Sequence, residues 1–520
     1  MKARERYNKL SNARQMFLDK AVTCSELTLP YLIDDDITSR PNHKSLEVPW
    51  QSVGAKCVVT LAAKLMLAVL PPQTSFFKLQ VRDDKLGQEL DPQIRSELDL
   101  SFSKMERMIM DYIAASNDRV AIHQALKHLI VSGNALIFMG KEGLKTFPLN
   151  RYVVNRDGNG NVLEIVTKEL ISRKVLDIEL PEPQPNTGVD ESSTTNDDVT
   201  IYTYVKLDKP SGRWVWHQEA FDKIIPDTRS TAPKKASPWL PLRFNTVDGE
   251  DYGRGRVEEF LGDLKSLDGL SQSLIEGAAA ASKVVFLVSP SSTTKPATIA
   301  KAGNGAIVQG RPEDVAVIQV GKTADFSTAA NMANAIEKRL LEAFLVMNIR
   351  NAERVTAEEV RLTQLELEQQ LGGIFSLLTV EFLIPYLNRT LLVLQRSNEI
   401  PKLPKDMVRP TIVAGVNALG RGQDRESLTQ FIGTIAQTLG PEALMQYINA
   451  QEAIKRLAAA QGIDVLNLVK TEQQMAEEMQ AAQAQQTQQA LVDQAGQLAG
   501  TPLMDPTKNP QMMPEEPPAE

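Results

Sequence analysis

"RGRVEEFLGDLKSLDGLSQSLIEGAAAASKV", Arg254 to Val284, is the stretch on which the fold turns. Val257, Phe260, Leu261, Leu264, Leu267, Leu274 and Ala278 recur at spacings near three and four, the repeat of one buried face of an α-helix. At about 1.5 Å per residue such a helix spans on the order of 45 Å. A segment with strand, turn and proline signals follows, "FLVSPSSTTKPATIAKAGNGAIVQGRPEDVAVIQVG". A second helical pattern then runs from Phe326 to Met347, with Ala330, Ala333, Ile336, Leu340 and Phe344 on one side. Two long helices flanking an excursion of roughly forty residues describe a chain that goes up, across and back down.

Upstream, helical patterns cover Ala3 to Leu29, Pro49 to Leu70, Pro92 to Ser116 and Arg119 to Ser132, with Pro49 at a helix start where proline is tolerated. The pattern then switches to period two around Asp157-Gly158-Asn159-Gly160, a strong hairpin-turn signal. Residues 181–198 read as a mobile polar loop, and strands resume at "VTIYTYVKL" and "RWVWHQ" around the turn "DKPSG". The fold class is therefore mainly α with a small inserted antiparallel β-sheet, α+β overall. Beyond Pro404 the pattern reads helical again, and Thr471 to Leu498 is an Ala- and Gln-rich helical segment with few core residues, which needs neighbours. The last twenty residues hold six prolines, Pro502 to Pro518, and are expected to be disordered.

With 520 residues, 42% hydrophobic and 23% charged, the chain can bury a large core distributed over several subdomains. A net charge of −8 gives no sign of a general polyanion-binding surface, so any DNA role must be local or must avoid gripping. Cys24 and Cys57 sit in apolar helical patterns and read as packed thiols in a reducing compartment. The N-terminus is charged throughout and shows no targeting segment. The most apolar run, Val58 to Pro72, is interrupted by Lys64 and stops at a double proline, which marks a buried helix rather than a membrane span.

Catalytic chemistry is sparse. His123 and His128 lie five apart, not the four that place two metal ligands on one helix face, and His43 and His217 stand alone. Asp34-Asp35-Asp36 lacks the alternation and glycine of a calcium loop and reads as a solvated acidic turn. "YGRGRVEEF", Tyr252 to Phe260, lacks the third glycine of a dinucleotide fingerprint and the lysine of a P-loop; it reads as a flexible approach to the long helix. "GRGQD" near Gly420 is equally incomplete. No cofactor or metal is implied, and the chain does not read as an enzyme.

Between Met347 and the next helix lies a basic, polar crossing. Thr356 followed by Glu359 forms a capping box that starts a helix near Ala357, and Gly372-Gly373 is expected to kink it. Arg354 is one turn from Glu358 and has a plain reading as its ion-pair partner.

Seven blocks carry a resemblance: "VPWQSVGAKCVVTLAAKLMLAVLPPQTSFFKLQV" from Val48, "ALKHLIVSGNALIF" from Ala125, "RYVVNRDGNGNVLEIVT" from Arg151, "DYGRGRVEEFLGDLKSL" from Asp251, "GRPEDVAVIQVGKTADF" from Gly310, "ERVTAEEVRLTQLELEQQLGGIFSLL" from Glu353 and "GVNALGRGQD" from Gly415. In this order they resemble the portal, or head-to-tail connector, proteins of short-tailed bacteriophages of the autographivirus type, over roughly residues 1–470. The resemblance implies a portal fold assembled as a ring of twelve. Residues 1–253 would form the wing, 254–284 and 325–346 the stem helices, and 285–324 the clip. Residues 347–356 would form the tunnel loop, 357–404 the kinked wing helix and the helix after it, 405–498 the crown with its C-terminal helical segment, and 499–520 the tail.

It also implies a site and partners. Double-stranded DNA would pass without sequence specificity along a channel where Asn348, Arg350, Asn351, Glu353 and Arg354 line the tunnel loop. The clip, with Lys295, Lys301, Arg311, Glu313 and Asp314, would meet the terminase large subunit and then the tail adaptor protein. Major capsid, scaffolding and internal core proteins complete the partner set, with no membrane. The protein would occupy a unique capsid vertex of the virion after assembly in the bacterial cytoplasm. Twelve copies at −8 each would make a strongly negative ring that repels phosphate and lets DNA slide, with Arg350 and Arg354 as local positive contacts. The alternatives are a scaffolding protein of the phage head, or a nucleotide-dependent enzyme using the Tyr252 to Phe260 turn.

Overall fold

The computed structural model describes residues 2–33, 46–71, 75–81, 92–172, 198–281, 285–290, 295–303, 307, 309, 311, 313, 315–318, 323–346, 372–401, 408–412 and 431–438. The chain divides into two compact units, Met1–Leu419 and Gly420–Glu520. Of the second, the described residues 431–438 form one helical stretch. The first unit holds everything that follows.

Four helices open it: α1 (Ala3–Glu26), α2 (Val53–Val69), α3 (Pro92–Ala115) and α4 (Asp118–Ser132). The sequence is apolar around most of α4, so it becomes the hub. Ile122, Ala125, Leu126, Leu129, Ile130 and Val131 are all buried. Against them pack α1, α2 and α3, with β2 (Asn134–Met139) and β3 (Leu144–Phe147). His128 is 2% exposed within this hub, and its Nδ1 has no hydrogen-bond partner. Burial pushes its imidazole down to about 4, so it is a neutral core residue. Cys24 and Cys57 are free, buried thiols, as their apolar surroundings predict.

The period-two segments form antiparallel sheets. The largest has six strands, β4 (Tyr152–Arg156), β5 (Val162–Ser172), β6 (Asp198–Asp208), β7 (Arg213–Ala220) and β8 (Lys223–Ile224) in that order, with β9 (Ser230–Pro233) also paired to β7. Its first hairpin turns where the sequence says. Asp157 accepts from the amides of Asn159 and Asn161, and Gly160 takes a left-handed φ of 79°. Helix α1 lies on this sheet, with Ala3 and Tyr7 packed on Val153 and Val166. Its first amide, Ala3 N, donates to Glu219 Oε2 at 2.7 Å. A three-stranded sheet, β10 (Trp239–Arg243) with β2 and β3, closes the hub from another side.

Three expectations differ from the structure. Past Pro404 the chain is not simply helical, since β13 (Val408–Ile412) pairs with β1 (Phe77–Val81). Val408, Thr411 and Ile412 favour extended backbone, and Pro410 is tolerated because this strand has one neighbour among the described residues. The long helix from Arg254 is broken at Phe260 into α5 (Arg256–Glu259) and α6 (Leu261–Ala281). The glycines before it are not a flexible approach. Cβ atoms on Gly253 and Gly255 would fall 2.7 Å from Gly133 O and Val131 O, and Gly133, at φ 75°, closes α4. Asn134 bridges the contact, its Nδ2 donating to Gly253 O at 2.8 Å and its Oδ1 accepting from Gly253 N at 2.7 Å. Three glycines are needed because backbone packs on backbone.

Candidate functional site

After α6 the chain forms β11 (Val285–Val288), α7 (Pro296–Lys301), β12 (Val315–Ile318) and α8 (Thr323–Ala343). Strands β11 and β12 pair antiparallel, Val285 opposite Ile318. Asp263, early in α6, binds Arg339, late in α8, at 2.5 and 2.8 Å. Gly277, late in α6, lies against the ring of Phe326, early in α8. The two helices therefore run in opposite directions, and the up, across and back-down reading of the sequence holds as a helix–sheet–helix hairpin.

The hairpin returns to the body at a fixed point. Val346 N bonds Leu341 O at 2.7 Å and Leu345 N bonds Glu342 O at 3.0 Å, the paired bonds of a Schellman end, with Leu345 at φ 59° where glycine is usual. Two cations hold the freed carbonyls. Lys64 on α2 donates to Leu345 O, and Arg256 Nη2 donates to Ala343 O at 3.1 Å. Positive charge is favourable at this negative end of the helix dipole. Burial of the Lys64 ammonium lowers its pKa, so the carbonyl contact replaces part of its lost hydration.

The chain comes back into description as α9 (Gly372–Arg396). Leu378, Phe382, Tyr386, Thr390 and Leu394 are buried, in steps of four. In a regular helix that stripe drifts by about 40° per step, since four residues exceed one turn of 3.6. A π-helical turn at Thr379–Leu383 widens the spiral and offsets part of the drift. Glu381, inside that turn, accepts from Arg243 through its backbone N at 2.9 Å, Nε at 2.9 Å and Nη2 at 2.6 Å. Arg156 Nη1 stands 3.7 Å from the same carboxylate and also donates to Gly160 O at 3.0 Å. Five residues on, Tyr386 donates to the buried Asp118 at 2.5 Å. Burial raises the pKa of Asp118, with the Tyr386 and Ser116 hydroxyls opposing it. Among the described residues α9 is the one helix long and apolar enough to cross a membrane, but these anchors and its packed stripe mark it as a helix of the body.

Lys64 and Arg256 thus fasten the chain up to Val346, and Glu381 and Tyr386 fasten it after Gly372, a frame of described residues on either side of 347–371. Asn348, Arg350, Asn351, Glu353, Arg354, Thr356 and Glu359 lie outside the described residues. Gly372 and Gly373 begin the helical part of α9, with no atom within 4 Å of a Cβ built on either. Lys295 precedes α7 and Lys301 ends it, and both are exposed, as are Arg311 and Glu313; Asp314 lies outside the described residues. Among the described residues no group of three or more His, Cys, Asp or Glu is placed to hold a metal. Sequence reading did not find the frame, because its partners come from distant segments. The one local signal is Lys64 interrupting the apolar run of α2.

These features define a large α+β protein in which a helix–sheet–helix hairpin and a π-turned helix are fastened to one body. The sequence pattern of the bacteriophage head to tail connecting proteins matches residues 1–468, and the chain belongs to that family. It is 37% identical to the portal protein of Escherichia phage T7, covering 98% of this chain and 95% of the relative. It is likewise 37% identical to the portal protein of Enterobacteria phage T3, covering 96% and 93%. A chain from the virion of a native gene transfer agent particle is similar over 78% of this chain and 89% of its own, at 11% identity and a TM-score of 0.36, too slight a likeness to argue from.

Proposed function

We propose that this chain is the subunit of a portal vertex, a ring of twelve around a channel through which double-stranded DNA is packaged and later ejected. The observation that carries the reading is the near full-length identity to curated portal proteins, 37% over 521 residues in one case. On this reading α6 and α8 are the stem helices, β11, α7 and β12 belong to the clip, and residues 1–253 form the wing. Residues 347–356 are the tunnel loop, held by the frame described above, and residues beyond 405 form the crown. The clip meets the terminase large subunit during packaging and the tail adaptor afterwards, and the ring sits at one vertex of the head among capsid, scaffolding and internal core proteins.

A negatively charged ring does not grip DNA, since like charge repels the phosphate backbone. Arg350 and Arg354 then supply weak, sequence-independent phosphate contacts. Negative-stain images of the purified protein test the assembly: rings with an open pore are expected, and monomers or filaments overturn it. For the tunnel loop, Arg350→Ala and Arg354→Ala particles are expected to differ from wild type in DNA packaged or retained. Unaltered levels in both remove that role.

A further inference from the structure

Glu164 pairs with Arg6 of α1 and Glu219 accepts from the first amide of that helix, yet one flank of the helix carries positive charge that no carboxylate among the described residues balances. Lys168 lies on β5 two residues past Val166, so by strand alternation it shares the face that α1 covers. Tyr152 pairs with Thr167, which sets Arg151 beside Lys168 across the β4–β5 edge, and Tyr202 stands opposite Lys168 on β6. Arg4 follows Ala3, which packs on Val166 two residues before Lys168, and Arg14 donates to Tyr152 O on the neighbouring strand. Arg4, Arg151 and Lys168 are half-buried.

Arg14 is 1% exposed, and its Nη1 is held by neutral acceptors, Tyr7 OH at 3.0 Å, Leu149 O at 3.1 Å, Asn150 O at 3.2 Å and Tyr152 O at 2.8 Å. Its Nε is buried without a partner. Among the described residues no carboxylate lies within ion-pair distance of Arg4, Arg14, Arg151 or Lys168. Burial, then Arg151, Arg14 and Arg4, all push the Lys168 pKa down, with no acid opposing them. Buried charge without a counter-charge is costly, and in a chain of net −8 it is not a consequence of overall composition.

We propose that Arg4, Arg151 and Lys168, backed by Arg14, bind a phosphate oxyanion on the flank of α1. Guanidinium groups suit it, because their paired donors match phosphate oxygens. The source is either a backbone phosphate of duplex DNA or a free phosphate, and the site is independent of the channel reading above.

The test is thermal unfolding of the full-length protein in inorganic phosphate against chloride at equal ionic strength. Phosphate is expected to raise the Tm by about 2–4 °C by binding the folded form. Lys168→Gln is expected to melt higher than wild type in chloride, because it relieves the repulsion, and to lose the rise in phosphate. Arg151→Gln, measured as a second variant, is expected to lose the rise as well. Titration with a short DNA duplex then separates the sources. Weaker, less salt-dependent binding by both variants assigns the phosphate to DNA, and unchanged duplex binding with loss of the phosphate response assigns it to a free ligand. No phosphate-specific rise in wild type, a full rise in both variants, or a lower Tm for Lys168→Gln in chloride overturns the proposal.

Discussion

The body around α4 and the outer half of the α6–α8 hairpin are built by opposite means. In the body, most buried apolar residues form one continuous cluster from α1 to α9, with two small clusters on the six-stranded sheet, and charges such as Glu381 lie against their partners. Along the hairpin, the last buried described residue of α6 is Leu267 and the first of α8 is Leu340. Beyond them Ile275 and Met332 are exposed, and the helices meet through Gly277 against Phe326. Two helices with so little buried between them gain little from each other, since helix stability in proteins comes mostly from packing an apolar face. The difference separates a part whose apolar faces are satisfied within the chain from one that has surface to offer a neighbour.

The sharpest way to break that contrast is Glu381→Ala. It leaves Arg243 and Arg156 enclosed without their carboxylate, and a loss of about 3–5 kcal/mol is expected in urea unfolding. A loss below about 1 kcal/mol would mean water reaches the pair.

His128 should give a smaller, pH-dependent effect. Its folded pKa of about 4 is below the ordinary value near 6.5, so the unfolded chain binds the extra proton. Its contribution is complete above about pH 6.5 and is lost as pH falls toward 4, about 2 kcal/mol of it between pH 7 and pH 5. His128→Leu should therefore show a flatter dependence of Tm on pH than wild type, and parallel curves would contradict a buried neutral imidazole.

The smallest effect is expected in the hairpin. Arg339→Ala removes an exposed ion pair with Asp263 and should leave the Tm unchanged within error, because water and salt screen such pairs. A clear drop would show that the hairpin is held more tightly than its exposure implies.

Local pattern was enough for much of this fold. The helices α1 to α4 lie close to where apolar spacing puts them, and the Asp157 turn joins the strands it was expected to join. The hairpin was visible for the same reason, since each of its parts is written in contiguous residues. What stayed hidden is non-local. Glu381 is 138 residues from Arg243 and nothing near it in sequence marks it as buried. The β1–β13 pair joins segments far apart in the sequence, so "VRPTI" was absorbed into the helical pattern read beyond Pro404. The three glycines at 133, 253 and 255 were visible, but sequence could not tell a loose turn from a contact too close for side chains. The cationic flank of α1 escaped because Arg4, Arg14, Arg151 and Lys168 converge only once the sheet is folded under the helix.

The π turn in α9 can also be viewed as a count of residues. An α-helix advances about 100° per residue. Removing one residue between Thr379 and Leu383 would restore regular winding and, with Tyr386 still fastened to Asp118, rotate the Gly372 end by about that angle. The compass bearing at which the chain arrives from residue 371 is thus set by a single residue, ten positions away, in a helix that would otherwise look unchanged.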